Sequence, residues 1–229
     1  MAGLHAYTLR GQIIYQHDTD GERGREWFTV TVSPEGVRTV RAQCEMDDAA
    51  LLRDVVYSVD RHWNPLDCFV RLTQHGTFVG SSWFHFTDSR ISCEGYTATE
   101  GRVSQSFDVA FRPPTFAPHP VMTDAWQCAR FDHERAERTQ QLSGTANPSP
   151  LADGGSGPML SMSGKSITYM GEETLTVPAG TFAAQRYRLD PRDYPAWDMW
   201  IIDEDFTLGR LRWDHLATTY DLVSFARCS

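Results

Sequence analysis

Residues 53–96 decide the fold of this chain and read RDVVYSVDRHWNPLDCFVRLTQHGTFVGSSWFHFTDSRISCEGY. Apolar and polar residues alternate along this stretch, and turn pairs such as Asn64-Pro65 and His75-Gly76 interrupt the alternation at short intervals. The pattern predicts a meander of antiparallel strands, because parallel strands would need long crossover connections. Residues 177–188, VPAGTFAAQRYR, add a Pro-Gly turn that leads into one more alternating strand.

The rest of the chain extends this all-β pattern with one interruption. Residues 112–120 contain four prolines, and residues 121–133 have the helical spacing of apolar residues. Residues 143–157 are rich in Gly, Ser and Pro and predict a loop. About a dozen strands in an open sheet would leave two long edges. We therefore predict a mainly β fold, a curved antiparallel sheet forming an open or half β-barrel with one central helix.

This sheet accounts for the whole chain as one β-barrel-like domain, residues 1–229. An N-terminal meander spans residues 1–111, a Pro-rich arm with the helix and loop spans residues 112–157, and C-terminal strands span residues 158–229. A single β domain of this length is ordinary.

The composition excludes several classes of function. The net charge of −9 and the pI near 5.3 argue against binding to nucleic acid or to anionic membrane surfaces. The five cysteines form no CxxC motif, and the N-terminus lacks a basic and apolar leader, which indicates a cytoplasmic protein with free thiols. The histidines and cysteines have no metal-ligand spacing, and no nucleotide-binding glycine motif occurs, so we expect no metal and no cofactor.

The C-terminal third resembles a known family. The resemblance rests on five segments, VPAGTF at 177–182, RYR at 186–188, WIID at 200–203, LRW at 211–213 and TYDL at 219–222. These segments are similar to bacterial DUF3108-type proteins, which resemble the lipocalin-like curved sheet of the lipid carriers LolA and LolB. The resemblance implies a half-barrel with an internal apolar groove, a fold that also hosts a cofactor-free enzyme of violacein synthesis. Lipid carriers of this shape are exported, whereas this N-terminus has no export signal, so we do not expect lipid transport.

Strand alternation gives one set of candidate catalytic residues. One face of the strand around residues 79–87 carries His85, and one face of the next strand carries Glu94 and Tyr96. A histidine, a carboxylate and a phenol on a face that also carries aromatic residues could perform acid and base catalysis in a cavity. The alternative is that this face is exposed to solvent, with His85 and Glu94 as an ordinary cross-strand pair.

The predicted helix gives a second candidate site, with Asp124 as a catalytic acid or base. His119, Trp126 and His133 lie at or near the same helix, which would be close to the mouth of the half-barrel if it covers the open side. The alternative is that Asp124 is solvated and Trp126 anchors the helix to the sheet. The large aromatic residues expected to bind a ligand are Tyr57, Trp83, Trp126, Trp200 and Trp213.

These features leave three functions open. The first is binding of a small hydrophobic, aromatic molecule, favoured by the content of 12% aromatic residues. The second is a cofactor-free lyase, dehydratase or isomerase acting on such a molecule by general acid and base catalysis. The third is a structural dimerisation module, since an exposed edge strand or the arm at 112–120 could mediate a homodimer.

Overall fold

The computed structural model describes residues 6–151 and 154–228, and within them fourteen strands form one antiparallel sheet. The first eight are β1 (Tyr7–His17), β2 (Gly21–Val32), β3 (Arg38–Met46), β4 (Leu51–Val59), β5 (Pro65–Gln74), β6 (Thr77–Phe86), β7 (Arg90–Thr97) and β8 (Gly101–Asp108). The others are β9 (Thr139–Asn147), β10 (Ser161–Val177), β11 (Gly180–Pro191), β12 (Trp197–Ile201), β13 (Leu208–Trp213) and β14 (Thr218–Cys228). The predicted mainly β, curved antiparallel fold is confirmed.

Apart from β8 and β9, strands that are consecutive in the sequence are neighbours in the sheet. The spatial order is β8-β7-β6-β5-β4-β3-β2-β1-β14-β13-β12-β11-β10-β9, so the first and last strands pair with each other at the centre. Strands β8 and β9 are the two ends of the sheet. The Gln105 side chain of β8 donates to the carbonyl oxygen of Leu160 at 3.3 Å and accepts from its N–H at 2.7 Å. A side chain thus links one end of the sheet to the segment that precedes β10.

Tight turns account for the regular meander. The N–H of Gly36 donates to the carbonyl of Ser33 at 2.9 Å, as the Ser-Pro-Glu-Gly sequence predicts. His75 and Gly76 both have positive φ, 50° and 71°, which suits the two-residue hairpin between β5 and β6. Such short connections leave antiparallel pairing as the only arrangement for neighbouring strands.

A segment between β8 and β9 fills the concave side of the sheet. It contains the Pro-rich arm, a short helix α1 (Val121–Ala125) and a 3₁₀ turn from Trp126 to Arg130. Phe116 in the arm is buried, with its ring 5.1 Å from that of Phe84 and 4.9 Å from that of Phe86. The prolines are tolerated because the arm takes almost no part in the sheet's hydrogen bonding.

Two predicted boundaries in this region are wrong. The helix does not continue to His133, because Phe131 adopts an extended backbone conformation (ψ 125°). The loop expected at 143–157 begins later, because residues up to Asn147 pair with β10 as strand β9. The small polar residues of β9 are weak strand formers, and pairing with β10 overrides that preference. Positions 152 and 153 of the expected loop lie outside the described residues.

A buried carboxylate in the β12–β13 turn connects that turn to strands β1 and β3. Asp205 is almost fully buried and accepts hydrogen bonds from the Tyr7 hydroxyl at 2.8 Å and from Arg38 Nε at 3.0 Å. The Arg38 guanidinium also lies 4.2 Å from the ring centroid of Trp63, and that ring packs on Phe206. These contacts tie the turn to β1 and β3 across the concave side.

None of the helices in the described part of the chain is long and apolar enough to cross a membrane.

Candidate functional site

A cavity of about 370 Å³ lies between the inserted segment and the inner face of the sheet. Part of its polar lining comes from β4, the arm, the helical segment and β10, and this polar wall contains Arg53, His119, Asp124, Gln127 and Lys165. Its aromatic wall comes mainly from β1, the last three strands and the loop before β12, and includes Tyr15, Tyr194, Trp197, Trp213 and Tyr220. The volume and the mixed lining are those of a small-molecule site.

A buried amine and a carboxylate are joined by an amide in the polar wall. Lys165 is only 5% exposed, and its Nζ donates to Oε1 of Gln127 at 2.7 Å. The amide nitrogen of Gln127 in turn donates to Oδ1 of Asp124 at 3.1 Å. Gln127 therefore fixes both side chains at the cavity surface.

Burial perturbs both ionisable groups of this chain of contacts. Desolvation lowers the pKa of Lys165 to about 8, although the negative charge of Asp124 opposes the change. Desolvation also raises the pKa of Asp124 to about 6, opposed by the positive charges of Lys165 and Arg53. An acid and a base that both titrate near neutrality face the same cavity.

His119 adds a neutral imidazole to this wall. Burial lowers the pKa of His119 well below its usual value, and the positive charges of Arg53 and Lys165 lower it further. Its Nε2 atom is buried, and no partner for it lies within the described residues. Its backbone φ of +76° is rare for a non-glycine residue. Strained backbones of this kind concentrate at functional sites.

Paired rings build the opposite wall. Trp197 and Trp213 pack edge to face with their ring centroids 5.6 Å apart, and Tyr15 and Tyr220 do the same at 4.8 Å. The indole N–H of Trp213 donates to the carbonyl of Pro195 at 3.0 Å, which fixes the orientation of that ring. This wall offers apolar and aromatic contacts rather than charge.

A fully buried glutamate anchors the inserted segment to the sheet. Glu26 of β2 accepts hydrogen bonds from the N–H groups of Val121 and Met122, at 2.8 and 3.1 Å, and from the Tyr15 hydroxyl at 3.1 Å. Desolvation nevertheless raises the pKa of Glu26 to about 7. Since Tyr15 also lines the cavity, this contact positions both the helical segment and part of the aromatic wall.

The predicted site residues divide between the cavity and other places. Asp124 and Trp213 line the cavity, which is where a catalytic acid or base and a ligand-binding ring were expected to lie. His85, Glu94 and Tyr96 do not line it, and they lie on the solvent-exposed face of β6 and β7. Strand register pairs Glu94 with Trp83 and His85 with Ser92. This arrangement matches the alternative in which the face is exposed to solvent, although His85 and Glu94 are not directly opposite each other.

The face of β6 and β7 that carries His85, Glu94 and Tyr96 therefore points to solvent and not into the cavity. Strands β6 and β7 direct Phe84, Phe86 and Ile91 inward, and this apolar face packs in the core. Tyr96 is 57% exposed and Trp83 46% exposed on the other side. A role for His85, Glu94 or Tyr96 in the chemistry of this cavity would require them to lie on the face that is buried.

Three of the expected ligand-binding aromatic residues belong to the core instead of the cavity wall. Tyr57 and Trp126 are buried against each other with ring centroids 5.6 Å apart. Trp200 is also buried, and its indole N–H donates to Glu173. Trp126 thus anchors the helical segment to the sheet, which is the alternative that its sequence position left open.

Sequence reasoning placed His119 in the same candidate set as Asp124, but it missed Lys165, Gln127 and Arg53 as members of that site. A single signal could have pointed to it, because Lys165 is the one lysine among the 21 basic residues of the sequence. Arg53 and Lys165 lie far along the chain from each other and from the segment that carries His119 and Gln127, so no spacing motif joins them. Among the described residues no group of three His, Cys, Asp or Glu side chains is arranged to hold a metal ion.

Comparisons with known proteins bear on the fold alone. The chain is similar to a β-barrel-like protein of the domain of unknown function DUF1849 from Brucella abortus, with 10% identity, 98% of each chain covered and a TM-score of 0.58. It is also similar to a DUF1089 family protein from Pseudomonas aeruginosa, with 9% identity, 80% of this chain and 87% of that chain covered, and a TM-score of 0.47. No family model and no curated protein matches the chain. The curved β-barrel-like fold implied by the DUF3108 and LolA/LolB resemblance is shown, whereas membership of that specific family is not supported.

Proposed function

We propose that this protein binds a small, mainly apolar molecule with an aromatic part in the cavity between the inserted segment and the sheet. The ligand's ring system packs against Trp197 and Trp213, and its polar group faces Lys165, Asp124 and His119. This site keeps the hydrophobic, aromatic ligand predicted from the sequence together with the candidate residues Asp124 and Trp213. It does not include His85, Glu94 and Tyr96, which lie on the exposed face of β6 and β7.

One observation carries this proposal, the presence of an aromatic wall and a buried polar wall around a single space of about 370 Å³. Buried amines and carboxylates are costly unless something uses or compensates them. Lys165 and Asp124 are joined through Gln127 and face that space. A ligand with one polar end and one aromatic end matches both walls.

A second candidate function is cofactor-free acid and base catalysis on the bound molecule, such as a lyase or isomerase reaction. The observation that favours it is the pair of pKa values, about 6 for Asp124 and about 8 for Lys165, which bracket neutrality from both sides. Groups in that range can accept and return a proton near neutral pH. In this candidate Asp124 keeps the acid and base role that the sequence reasoning offered for it, and Lys165 joins it in place of His85, Glu94 and Tyr96.

A cytoplasmic location remains part of the proposal. Cys44, Cys68, Cys93 and Cys128 are buried free thiols, and Cys228 is an exposed one. Free thiols in this number are typical of a reducing compartment. The small molecule is the partner that we propose, and we propose neither nucleic acid nor membrane as a partner.

The experiment is a binding screen of the purified chain against aromatic acids, aldehydes, ketones and alcohols, read by calorimetry. Mass spectrometry of each recovered mixture shows whether the compound was changed. We expect a bound compound to lose at least tenfold affinity in Trp213→Ala, because that ring forms part of the cavity wall. Recovery of the compound unchanged supports a binding protein, and an altered mass or isomer supports the catalytic candidate.

The matched control is Trp83→Ala, which removes the same side chain from the exposed face of the sheet. It should leave affinity unchanged. Equal losses in Trp83→Ala and Trp213→Ala, or no binding from any of the four classes, would overturn the proposed site.

A further inference from the structure

We propose that Lys165 forms a Schiff base with the carbonyl carbon of an aromatic aldehyde or ketone bound in the cavity. The inference rests on the proposed function, because it names the chemical class of the molecule that the cavity receives. It adds a covalent bond between that molecule and the chain.

The distribution of basic residues sets Lys165 apart. All the other basic residues of the 21 are arginines, and the sequence places its one ε-amino group in the cavity wall. Arginine is permanently charged in proteins and cannot act as an amine nucleophile, whereas lysine can when it is desolvated. The chain therefore carries side-chain amine chemistry at one position, and that position faces a cavity sized for a small molecule.

The surroundings of Lys165 favour its neutral form. The side chain is nine-tenths buried, and the positive charge of Arg53 belongs to the same wall. His119 of that wall is neutral near pH 7, and the negative charge of Asp124 opposes the loss of charge on Lys165. With a pKa of about 8 in place of 10.5, the neutral fraction of the amine at pH 7 is roughly 300-fold larger. Lysines activated in this way are the ones that form Schiff bases.

The hydrogen-bond geometry leaves the amine nitrogen available for attack. Nζ donates to Oε1 of Gln127 at 2.7 Å, so an uncharged amide group orients the amine and supplies no negative charge that would hold it protonated. A carboxylate in direct contact would instead hold the proton on nitrogen. Here the carboxylate of Asp124 is joined to the amine through the Gln127 amide.

The reaction balances with groups that the cavity supplies. The neutral Nζ attacks the carbonyl carbon, the carbon–nitrogen bond forms, and the electron pair of the carbon–oxygen π bond moves to oxygen. A proton passes from nitrogen to that oxygen and gives a carbinolamine. Protonated Asp124 then donates a proton to the hydroxyl group, which leaves as water while the nitrogen lone pair forms the carbon–nitrogen double bond. The product is a protonated imine on Lys165 beside ionised Asp124, and no oxidant or reductant is consumed.

The aromatic wall selects among carbonyl compounds. Trp197 and Trp213 offer ring edges and faces against which an aryl group can pack. We therefore expect an aryl aldehyde or aryl ketone to react faster than an aliphatic aldehyde of similar size.

The test traps the imine by reduction. The full-length chain is incubated near pH 7 with naphthaldehyde and sodium cyanoborohydride, and intact mass and peptide mapping locate the label. We expect one side-chain naphthylmethyl group per chain, on Lys165, and no label on a side chain in Lys165→Met. Peptide mapping counts any label on the N-terminal α-amine separately, because α-amines ordinarily have a pKa of about 8. If Lys165→Met does not fold, the peptide map of the wild-type chain still identifies the labelled residue.

A matched control introduces a surface lysine into the same molecule. Arg102 is 81% exposed at its side chain, so Arg102→Lys supplies an ordinary solvated amine alongside Lys165. We expect Lys165 to be labelled at least tenfold faster than the introduced lysine. Equal labelling would overturn the inference, because it would show that the cavity does not activate the amine.

A non-carbonyl analogue separates this inference from the proposed function. Naphthylmethanol has the same ring system but cannot form an imine. If calorimetry shows that both compounds bind and no label reaches Lys165, the Schiff base is refuted and the binding site stands. If neither compound binds, this inference is refuted, and the screen of the four compound classes decides separately whether the proposed function stands.

Discussion

Replacement of Glu26 by glutamine tests whether desolvation or hydrogen bonding dominates at the anchor of the inserted segment. Glu26 is fully buried, which favours its neutral form, but it accepts two backbone N–H groups and a tyrosine hydroxyl, which favour its charged form. The raised pKa of about 7 says that desolvation wins. Glutamine imitates the protonated acid in size and polarity and does not titrate.

The sign and size of the effect follow from linkage. A folded-state pKa of about 7 against 4.5 in the unfolded chain makes ionisation of Glu26 about 3.4 kcal/mol more costly in the folded state. The contribution of a neutral Glu26 to stability is therefore fully present below pH 4.5 and is lost as the pH rises through about 7. Between pH 5 and pH 8 the wild-type chain should lose about 2.5 kcal/mol relative to Glu26→Gln.

The assay is urea unfolding of both proteins, followed by tryptophan fluorescence at a series of pH values. Asp124 also titrates in this range, but it is present in both chains, so its effect largely cancels in the difference. Glu134→Gln removes one carboxylate from an exposed position and should change stability by no more than about 0.5 kcal/mol. A stability difference that is constant with pH, or that grows in favour of the wild type as the pH rises, would refute the dominance of desolvation.

Two further substitutions test the cavity wall and the buried carboxylate in the β12–β13 turn. Gly154→Ala would place a methyl carbon 2.5 Å from Arg53 Nη2 and from His119 Cδ2, and should cost about 1 kcal/mol more in urea unfolding than Gly144→Ala. Gly144 has a similar positive φ and no atom within 4 Å of the added carbon. Equal costs would therefore show that Arg53 and His119 move aside without destabilising the chain. Asp205→Asn should destabilise the chain by about 3 kcal/mol in the same assay, because it leaves a partly buried arginine without its carboxylate. The neighbouring Glu204→Gln breaks an exposed ion pair and should cost less than about 1 kcal/mol, and a similar loss in both variants would contradict this reasoning.

The architecture could be predicted because it depends on local signals. Alternation of period two and short turns such as Ser33–Gly36 recur along the chain, and each hairpin fixes the pairing of its neighbours. Strand β9 escaped prediction because its small polar residues carry no strand preference of their own. Its identity comes from pairing with β10, a contact that no local pattern encodes.

The inward face of the strands could not be deduced with the same certainty. Both faces of β6 carry large aromatic residues, with Phe84 and Phe86 on one side and Trp83 and His85 on the other. Alternation identifies two faces but does not say which one packs against the rest of the chain. The expectation that a polar and aromatic face lines a cavity failed here, because the purely apolar face packs against the inserted arm through Phe116.

The cavity shows why the site was harder to predict than the fold. In strand β4 the inner face carries Arg53 between Leu51 and Val55, and in β10 Lys165 stands next to the buried Ile167. Each of these positions resembles an isolated polar interruption of an apolar face. Only the inserted segment, which brings Asp124, Gln127 and His119 between the two strands, turns those interruptions into one site.

The inserted segment therefore contributes both to the hydrophobic core and to the wall of the cavity. Its apolar side chains, such as Phe116 and Met122, complete the core of a sheet whose ends β8 and β9 are not paired with each other in the described chain. Its polar side chains, such as Asp124 and Gln127, project into the space that remains. Glu26 holds the segment at the backbone N–H groups of Val121 and Met122, directly before those polar residues. A rise in pH that ionises Glu26 in its desolvated site should therefore weaken the cavity wall together with the fold. We expect ligand affinity and stability to decline over the same pH range in the wild-type chain, and to decline less steeply in Glu26→Gln.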